Sequence, residues 1–317
     1  MNLFIFICQQ TLIFLVPLLL VGLGDLFSER SGVLNIALEG IMVFGAFAGI
    51  MFIRSASAAM PSWLVLLIAI LISILAGILL SSLHAFASIH LKAEQTISST
   101  AIITFATAFC IFYARVMLGT ERVVFRNTFR IDAVPLLSKI PVLGPILFQK
   151  AYVTTYLGIL VLIVTAFILK RTRFGLRLRS CGENPQAADS VGISVYKMRY
   201  AGVLISGALA GLGGLVFILP TTTTYTASVS GYGFLAMSVV VFGQWKPWGI
   251  ALGALFFGLT KTIAASYSVI PFLYNLGIPE AFFKMLPYVA TLIVLAFSTK
   301  RSNAPGVIGV PYDKSKR

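Results

Sequence analysis

KRTRFGLRLRSCGENPQAADSVGISVYKMR, residues 170–199, lies between two long apolar runs and carries seven Lys/Arg against Glu183 and Asp189. A cationic segment between apolar spans faces the cytoplasm under the positive-inside rule. Its centre reads as a short helix over 184–192. Asn184 suits an N-cap, Pro185 the first helical turn, and Gly192 the position just past the end. Gln186, Ala187, Ala188, Asp189, Ser190 and Val191 fill the interval. A helix of two turns is below the ~12–15 residues at which an isolated helix becomes marginal in water. It therefore needs something to pack against. A short helix held at a membrane surface by two spans is the part needed by a pore that takes mechanical work from a soluble partner.

The composition sets the class. Of 317 residues 58% are hydrophobic and 11% charged, against about 25% charged in a soluble domain. The net charge of +14 would suggest nucleic acid on a soluble chain. Here the cations flank apolar runs, so they read as topology signals and contacts for membrane lipids, and no nucleic acid is expected. Cys8, Cys110 and Cys181 are widely spaced and form no CxxC pair, which indicates neither a disulfide framework nor a zinc site. The N-terminal MNLFIFICQQ lacks a basic n-region and a small-residue cleavage site, and is expected to remain as membrane sequence. His84 and His90 are expected at the membrane interface rather than as ligands.

Apolar runs long enough to cross ~30 Å of hydrocarbon fall at about 11–27, 33–53, 62–83, 97–118, 152–169, 200–219 and 248–267. Two shorter runs, 232–243 and 285–298, leave room for a half-span or re-entrant helix. The expected fold is an all-α integral membrane protein, a polytopic helical bundle of about nine spans (8–10), forming one transmembrane domain over 1–317. With 170–199 inside, alternation also puts Glu29–Arg30, His84–Glu94, Gln244–Lys246 and the 300–317 tail inside. The N-terminus and the 119–151 loop fall outside. That loop carries Arg122, Arg126, Arg130, Lys139 and Lys150, against the charge rule, and its Pro135, Pro141 and Pro145 suggest a compact cap.

Several runs are broken in a patterned way. SGVLNIALEGIMVFGAFAG, residues 31–49, places Asn35, Glu39 and Gly40 in an otherwise lipid-compatible helix. Glu39 would lie on the order of 10 Å deep at 1.5 Å per residue, where a carboxylate must find a partner or a cavity. Its role is either a pathway group or a bond that holds the helix break. Lys261 poses the same problem from the cationic side, solved by snorkelling, by pairing (with Glu39 among the choices) or by solute contact. Thr96, Thr100, Thr104 and Thr107 recur on one helical face and can hydrogen-bond a polar solute or neighbouring helices. Asn35, Glu39, Thr96, Thr100, Thr104 and Lys261 are thus the candidate pathway residues. GALAGLGG, residues 207–214, offers small-xxx-small pairs for close helix contact. Thr221–Thr224, after Pro220, reads most simply as an external loop. The motifs GxxxxGK[ST], HExxH and GxSxG are absent. No catalytic residue, metal or cofactor is expected on this chain, and ATP and Mg would be bound by another.

Four stretches carry a family resemblance: SERSGVLNIALEGIMVFGAFAG, TRFGLRLRSCGENPQAADSVGISVYKMRYAGVLISGALAGLGG, GFLAMSVVVFGQWKPWGIALGALFFG and the tail APGVIGVPYDKSKR. They resemble the membrane-spanning permeases of bacterial ABC importers, the group that includes the ribose and branched-chain amino-acid permeases. The likeness is greatest to nucleoside permeases that work with a basic-membrane-protein type lipoprotein, whose P-Y-D-x-x-x-R tail and IPVLGPILF-like stretch it shares. The resemblance implies a heteromeric importer in the cytoplasmic membrane. A second permease subunit, two ATP-binding cassettes and an external substrate-binding lipoprotein would complete it. It also implies that NPQAADSVGIS is a coupling helix, with Ala187, Ala188 and Gly192 as cassette-contact positions beside Asn184, Pro185 and Asp189. Gln244 and Trp245 depart from the Gly-rich turn of many relatives. The expected solute is a purine or pyrimidine nucleoside. The alternatives are a pentose or other simple sugar on the same machinery, or a cassette-independent secondary transporter that uses Glu39 and Lys261.

Overall fold

The computed structural model describes residues 2–57, 59–126, 129–134, 138, 140–141, 143–267, 270, 279–298 and 303–314. The first half contains α1 (Asn2–Arg30), α2 (Leu38–Ser55), α3 (Ser62–Ala85), a π-helical turn (Phe86–His90) and α4 (Gln95–Leu118). Next come the short strands β1 (Val123–Val124) and β2 (Arg130–Ala133), α5 (Leu143–Phe148), β3 (Gln149–Tyr152) and α6 (Val153–Arg171). The second half contains α7 (Arg173–Glu183), α8 (Pro185–Ser190), α9 (Val195–Thr221), β4 (Thr224–Tyr225), α10 (Tyr232–Phe242), α11 (Pro247–Ala265) and α12 (Glu280–Ser298). Among the described residues, seven helices are long and apolar enough to cross a membrane: α1, α2, the helix begun by α3, α4, α6, α9 and α11. The chain is an all-α polytopic membrane protein. α10 has 11 residues, or about 16 Å of helix, about half of a bilayer's hydrocarbon. It is the half-span that the short 232–243 run suggests.

α9 is the axis of the bundle. In its most apolar 18-residue window 78% is buried, against 22% for α4. The reason lies in GALAGLGG. A Cβ at Gly45 of α2 would strike the Gly211 backbone, one at Gly77 of α3 the Gly207 carbonyl, and one at Gly214 the Met42 carbonyl. A Cβ at Gly202 of α9 would likewise meet the Phe27 carbonyl of α1, so three neighbouring helices approach α9 at distances that leave no room for a side chain.

The first two runs meet at a break over residues 31–37, where Gly32 takes φ +93°. Helix resumes at Leu38, so Gly40 is helical, and the irregular stretch lies ahead of it. Non-helical backbone at membrane depth persists only where protein groups bond it. Here the Leu34 N–H donates to Gln95 Oε1 at 2.7 Å, and His84 Nε2 lies 3.1 Å from the Leu34 carbonyl oxygen. Ser28 Oγ donates to the Val33 carbonyl at 2.8 Å. His84 is therefore fully buried, not interfacial as its sequence position suggested, because the break needs it. His90 does lie at a surface, stacked between Phe86 and Tyr196.

The connecting segments gather at two ends, here called upper and lower. At the upper end β1 pairs with β4 and β2 with β3. The Arg54 guanidinium donates to the Val124 carbonyl at 2.9 Å, and Gln9 Nε2 to the Pro145 carbonyl at 2.7 Å. The described part of the 119–151 segment is thus tied to the bundle, with Pro135 and Lys139 outside the described residues. Thr221 closes α9 and Thr224 belongs to β4, so the threonine run is tied to the same cap. At the lower end, Arg30 meets Glu183, Lys92 meets Asp313, and the Gln244 side chain meets the Asn303 N–H. These are the loops that alternation assigned to one side. Of the 300–317 tail, residues 303–314 are described.

Gly211→Val should cost at least ~2 kcal/mol by forcing the helices apart. It should lower the melting midpoint by several degrees, read by maleimide labelling of the buried Cys110 and Cys181 on heating in a Cys8→Ser background. Gly119, at φ +70° with nothing within 4 Å of where a Cβ would stand, is the control. Gly119→Ala should cost only about 1 kcal/mol.

Candidate functional site

α8 forms as its sequence dictates. Asn184 Oδ1 accepts the Ala187 N–H at 3.0 Å, Pro185 occupies the first turn, and Gly192 takes φ +83°. The Ile193 N–H closes on the Ala188 carbonyl at 3.0 Å, finishing the helix. The preceding α7 begins at Thr172, whose Oγ1 accepts the Gly175 N–H at 3.1 Å. The six-residue helix has two unlike faces. Pro185 and Ala188 are buried, while Gln186, Ala187, Ser190 and Val191 are exposed and Asp189 is intermediate. Ala188 packs with Cys181, Val195 and Tyr312 of its own chain. Burial raises the Cys181 thiol above its ordinary range, so this cysteine is inert packing. This corrects the expectation for Ala188: at 3% exposure it seats the helix and is not offered to a partner. The outward face is Ala187 with Val191, a valine 73% exposed at the end of the helix.

One turn above, α1 carries two buried carboxylates that the sequence reading passed over, Asp25 and Glu29. Asp25 sits inside the 11–27 run and Glu29 just past its end, so length and hydropathy alone single out neither. The signal was an Asp-xxx-Glu spacing, one helical turn on a single face, in a run with no cation before Arg30. Glu29 Oε2 accepts the indole N–H of Trp245. The adjacent Arg30 donates to the Trp245 carbonyl at 2.8 Å and lies 3.4 Å from Glu183, the residue before the α8 N-cap. Gln244 and Trp245 both sit at φ +52°, where a side chain costs roughly 1–2 kcal/mol. The Glu29 and Arg30 bonds, with Gln244 Oε1 accepting the Asn303 N–H, hold this turn. The α1 end, the α10–α11 turn and the root of α8 are thereby one bonded unit. Beside it lies a cleft of about 380 Å³ walled by Glu29, Trp245, Phe234, Ser238, Phe257 and Thr291.

Glu39 and Lys261 meet around α10. The two carboxylate oxygens of Glu39 accept the N–H groups of Gly231 (2.9 Å) and Gly233 (2.7 Å). These donors belong to the N-terminal turn of α10, where an anion is favoured. Between them Tyr232 lies tilted against Phe217 with ring centroids 4.0 Å apart. Lys261 Nζ lies 5.6 Å from the Tyr232 ring centroid and 5.7 Å from that of Tyr288, within cation–π range. Asn35 stands apart, at the 31–37 break, donating to Ser206 Oγ at 3.0 Å.

The threonine stripe does not join this group. Thr96, Thr100 and Thr104 are exposed on the outer face of α4. Thr100 and Thr104 donate to the carbonyls four residues back, at 2.6 and 3.0 Å. Threonine in a helix readily satisfies its hydroxyl this way, so the stripe lines a shallow outward groove with Ile97 and Phe105 and no interior path of this chain. Glu94 caps the same helix, and the N–H groups of Thr96 and Ile97 hold its carboxyl below the usual range. Among the described residues no group of three or more His, Cys, Asp or Glu could hold a metal.

A bundle of apolar spans with a half-span, a carboxylate-capped helix end and a short, partly exposed helix at one end is the architecture expected of a transport permease. A match to the family described as branched-chain amino acid transport system / permease component covers residues 7–295, and the chain belongs to that family. It is 43% identical over 98% of its length to the guanosine ABC transporter permease protein NupQ of Bacillus subtilis, covering 97% of that protein. It is 41% identical over 98% of its length to the nucleoside ABC transporter permease protein NupC of Lactococcus lactis, again covering 97%. No solved structure matches. The chain is thus a membrane subunit of an ABC transporter and not itself an enzyme.

Glu39→Gln leaves one acceptor oxygen, so one of the Gly231 and Gly233 N–H groups loses its partner. The expected cost is about 1–3 kcal/mol, read as a lower melting midpoint in the thiol assay. Glu39→Ala strands both and should lose more.

Proposed function

We propose that this chain is one of two permease subunits of an importer that carries nucleosides into the cell, driven by ATP-binding cassettes on partner chains. The observation that carries the reading is α8: a capped, two-faced helix with its inner face seated in the chain and Ala187 and Val191 presented outward. A transporter without a cassette has no use for such a part. The nucleoside assignment follows the relatives named above, each identical at more than two residues in five over nearly its whole length. The lower end is the cytoplasmic one, in keeping with the cations of 170–199. That orientation puts the C-terminal segment inside, the N-terminal residues outside, and the 119–151 cap toward a substrate-binding lipoprotein. The exposed outer face of α4 is available to the second permease subunit or to lipid.

In operation, cassette closure on ATP moves α8. The bonded unit of Glu183, Arg30, Trp245 and Glu29 passes the displacement to the ends of α1, α10 and α11. Spans that share close backbone contacts move as a block, so the path alternates between its two openings. Nothing is covalently altered in the solute. ATP and Mg supply the driving chemistry on the cassette.

Reconstitution of the subunits with the cassette and the lipoprotein tests this directly. Labelled guanosine should accumulate only with ATP, and unlabelled nucleosides should compete where pentoses do not. Ala187→Asp should abolish uptake with the melting midpoint unchanged. Ala188→Asp, which buries a charge in the seat of the helix, should instead lower the midpoint by several degrees. Normal uptake by Ala187→Asp would remove the coupling assignment, and accumulation of pentose alone would replace the solute.

A further inference from the structure

Residues 303–314 cross the lower end as a strap, and each loop there is tied to it. The Val307 N–H donates to the Gly182 carbonyl at 3.1 Å and the Gly309 N–H to the Gly32 carbonyl at 3.2 Å. The Arg199 guanidinium, nearly fully buried, donates to the Val310 carbonyl at 3.0 Å, and Lys92 pairs with Asp313 at 3.0 Å. Between these ties lies Tyr312, 5% exposed. Its ring stands edge-on to Tyr196 with centroids 5.6 Å apart, 6.0 Å from the Arg199 guanidinium carbon. The same ring shares a cluster with Ala188, Cys181 and Val195.

That cluster is the seat of α8. Cys181 belongs to α7 and Val195 to α9, so two of its walls are fixed by longer helices. The third is Tyr312, from outside the bundle. A six-residue helix cannot hold its own orientation, and α8 is joined to its neighbours through a cap at Asn184 and a turn at Gly192. Without a wall behind Ala188, a push on the outer face would rock α8 about those two ends rather than displace α7 and α9. We propose that Tyr312 is a positioning residue for energy coupling. The C-terminal strap wedges its ring behind the helix, so that cassette motion becomes motion of the spans. The inference rests on the reading of α8 as the coupling helix. It adds that the helix is only as stiff as the strap behind it.

The test uses the full complex in proteoliposomes and reads ATP hydrolysed per nucleoside imported. Tyr312→Ala should leave cassette assembly intact and raise that ratio several-fold, because hydrolysis continues while transport slips. Tyr312→Phe, which keeps the ring, should restore the wild-type ratio. A purely structural role would lower hydrolysis and uptake together, leaving the ratio unchanged, and that result would overturn the proposal. Should Tyr312→Ala fail to assemble, Gly309→Val serves in its place. Gly309 sits at φ +77° with nothing within 4 Å of a Cβ, so valine there disturbs only the strap's own turn, and an unchanged ratio would again count against the proposal. Ala187→Asp separates the two ideas. If it loses uptake while the strap variants keep the wild-type ratio, the coupling reading stands and the strap has no part in it. If it transports normally, the coupling reading falls first.

Discussion

The close approach of α9 to α1, α2 and α3 is the constraint on which the structure depends. In a bilayer there is no hydrophobic gain from bringing apolar helices together, so association rests on packing and internal hydrogen bonds. Glycines along 207–214 allow contact at backbone distance, and the neighbouring helices answer with their own glycines at 45 and 77. Once α9 is fixed, the 31–37 break has a wall to bond against, through Asn35 and Ser206. The broken second span and the buried His84 that bonds it belong to that arrangement.

A second level of organisation lies at the lower end, where polar bonds take over from glycine contacts. Glu29 and Arg30 are consecutive residues that both engage Trp245, one through its indole and one through its carbonyl. The Arg30–Glu183 contact is partly exposed and contributes modestly by itself. The bond to the buried Trp245 carbonyl is the firmer of the two. Together they make the turn before α11 and the root of α8 neighbours in force as well as in space. A displacement at one is not absorbed by a loose loop on the way to the other.

Much of this was legible in the residues, and the parts that were not share a cause. The caps of α8 are local: Asn184, Pro185 and Gly192 act within a few residues, so their pattern predicts the helix. The glycine spacing of 207–214 is local too. Glu39 was legible as a costly group but not as a cap, because Gly231 and Gly233 lie 192 and 194 residues away. The side of α8 that Ala188 faces depends on Tyr312, near the far end of the chain. The threonine stripe shows a different limit. Its spacing marks a face, but a threonine hydroxyl can close on its own helix, so spacing alone does not say whether that face is polar to its surroundings. Asp25 and Glu29 escaped because the first helix is apolar enough to span with both of them in it.

The capped end of α10 has an electrostatic consequence. A half-helix that stops inside a membrane ordinarily presents the positive pole of its dipole to whatever shares the cavity, and phosphate groups seek such ends. Here the pole is quenched from within, since Glu39 occupies the amides of Gly231 and Gly233. The two amides that an anion would otherwise seek are already satisfied by the chain itself. The same bond that finishes the helix thus spends the Glu39 charge inside the chain, in a molecule whose net charge is +14.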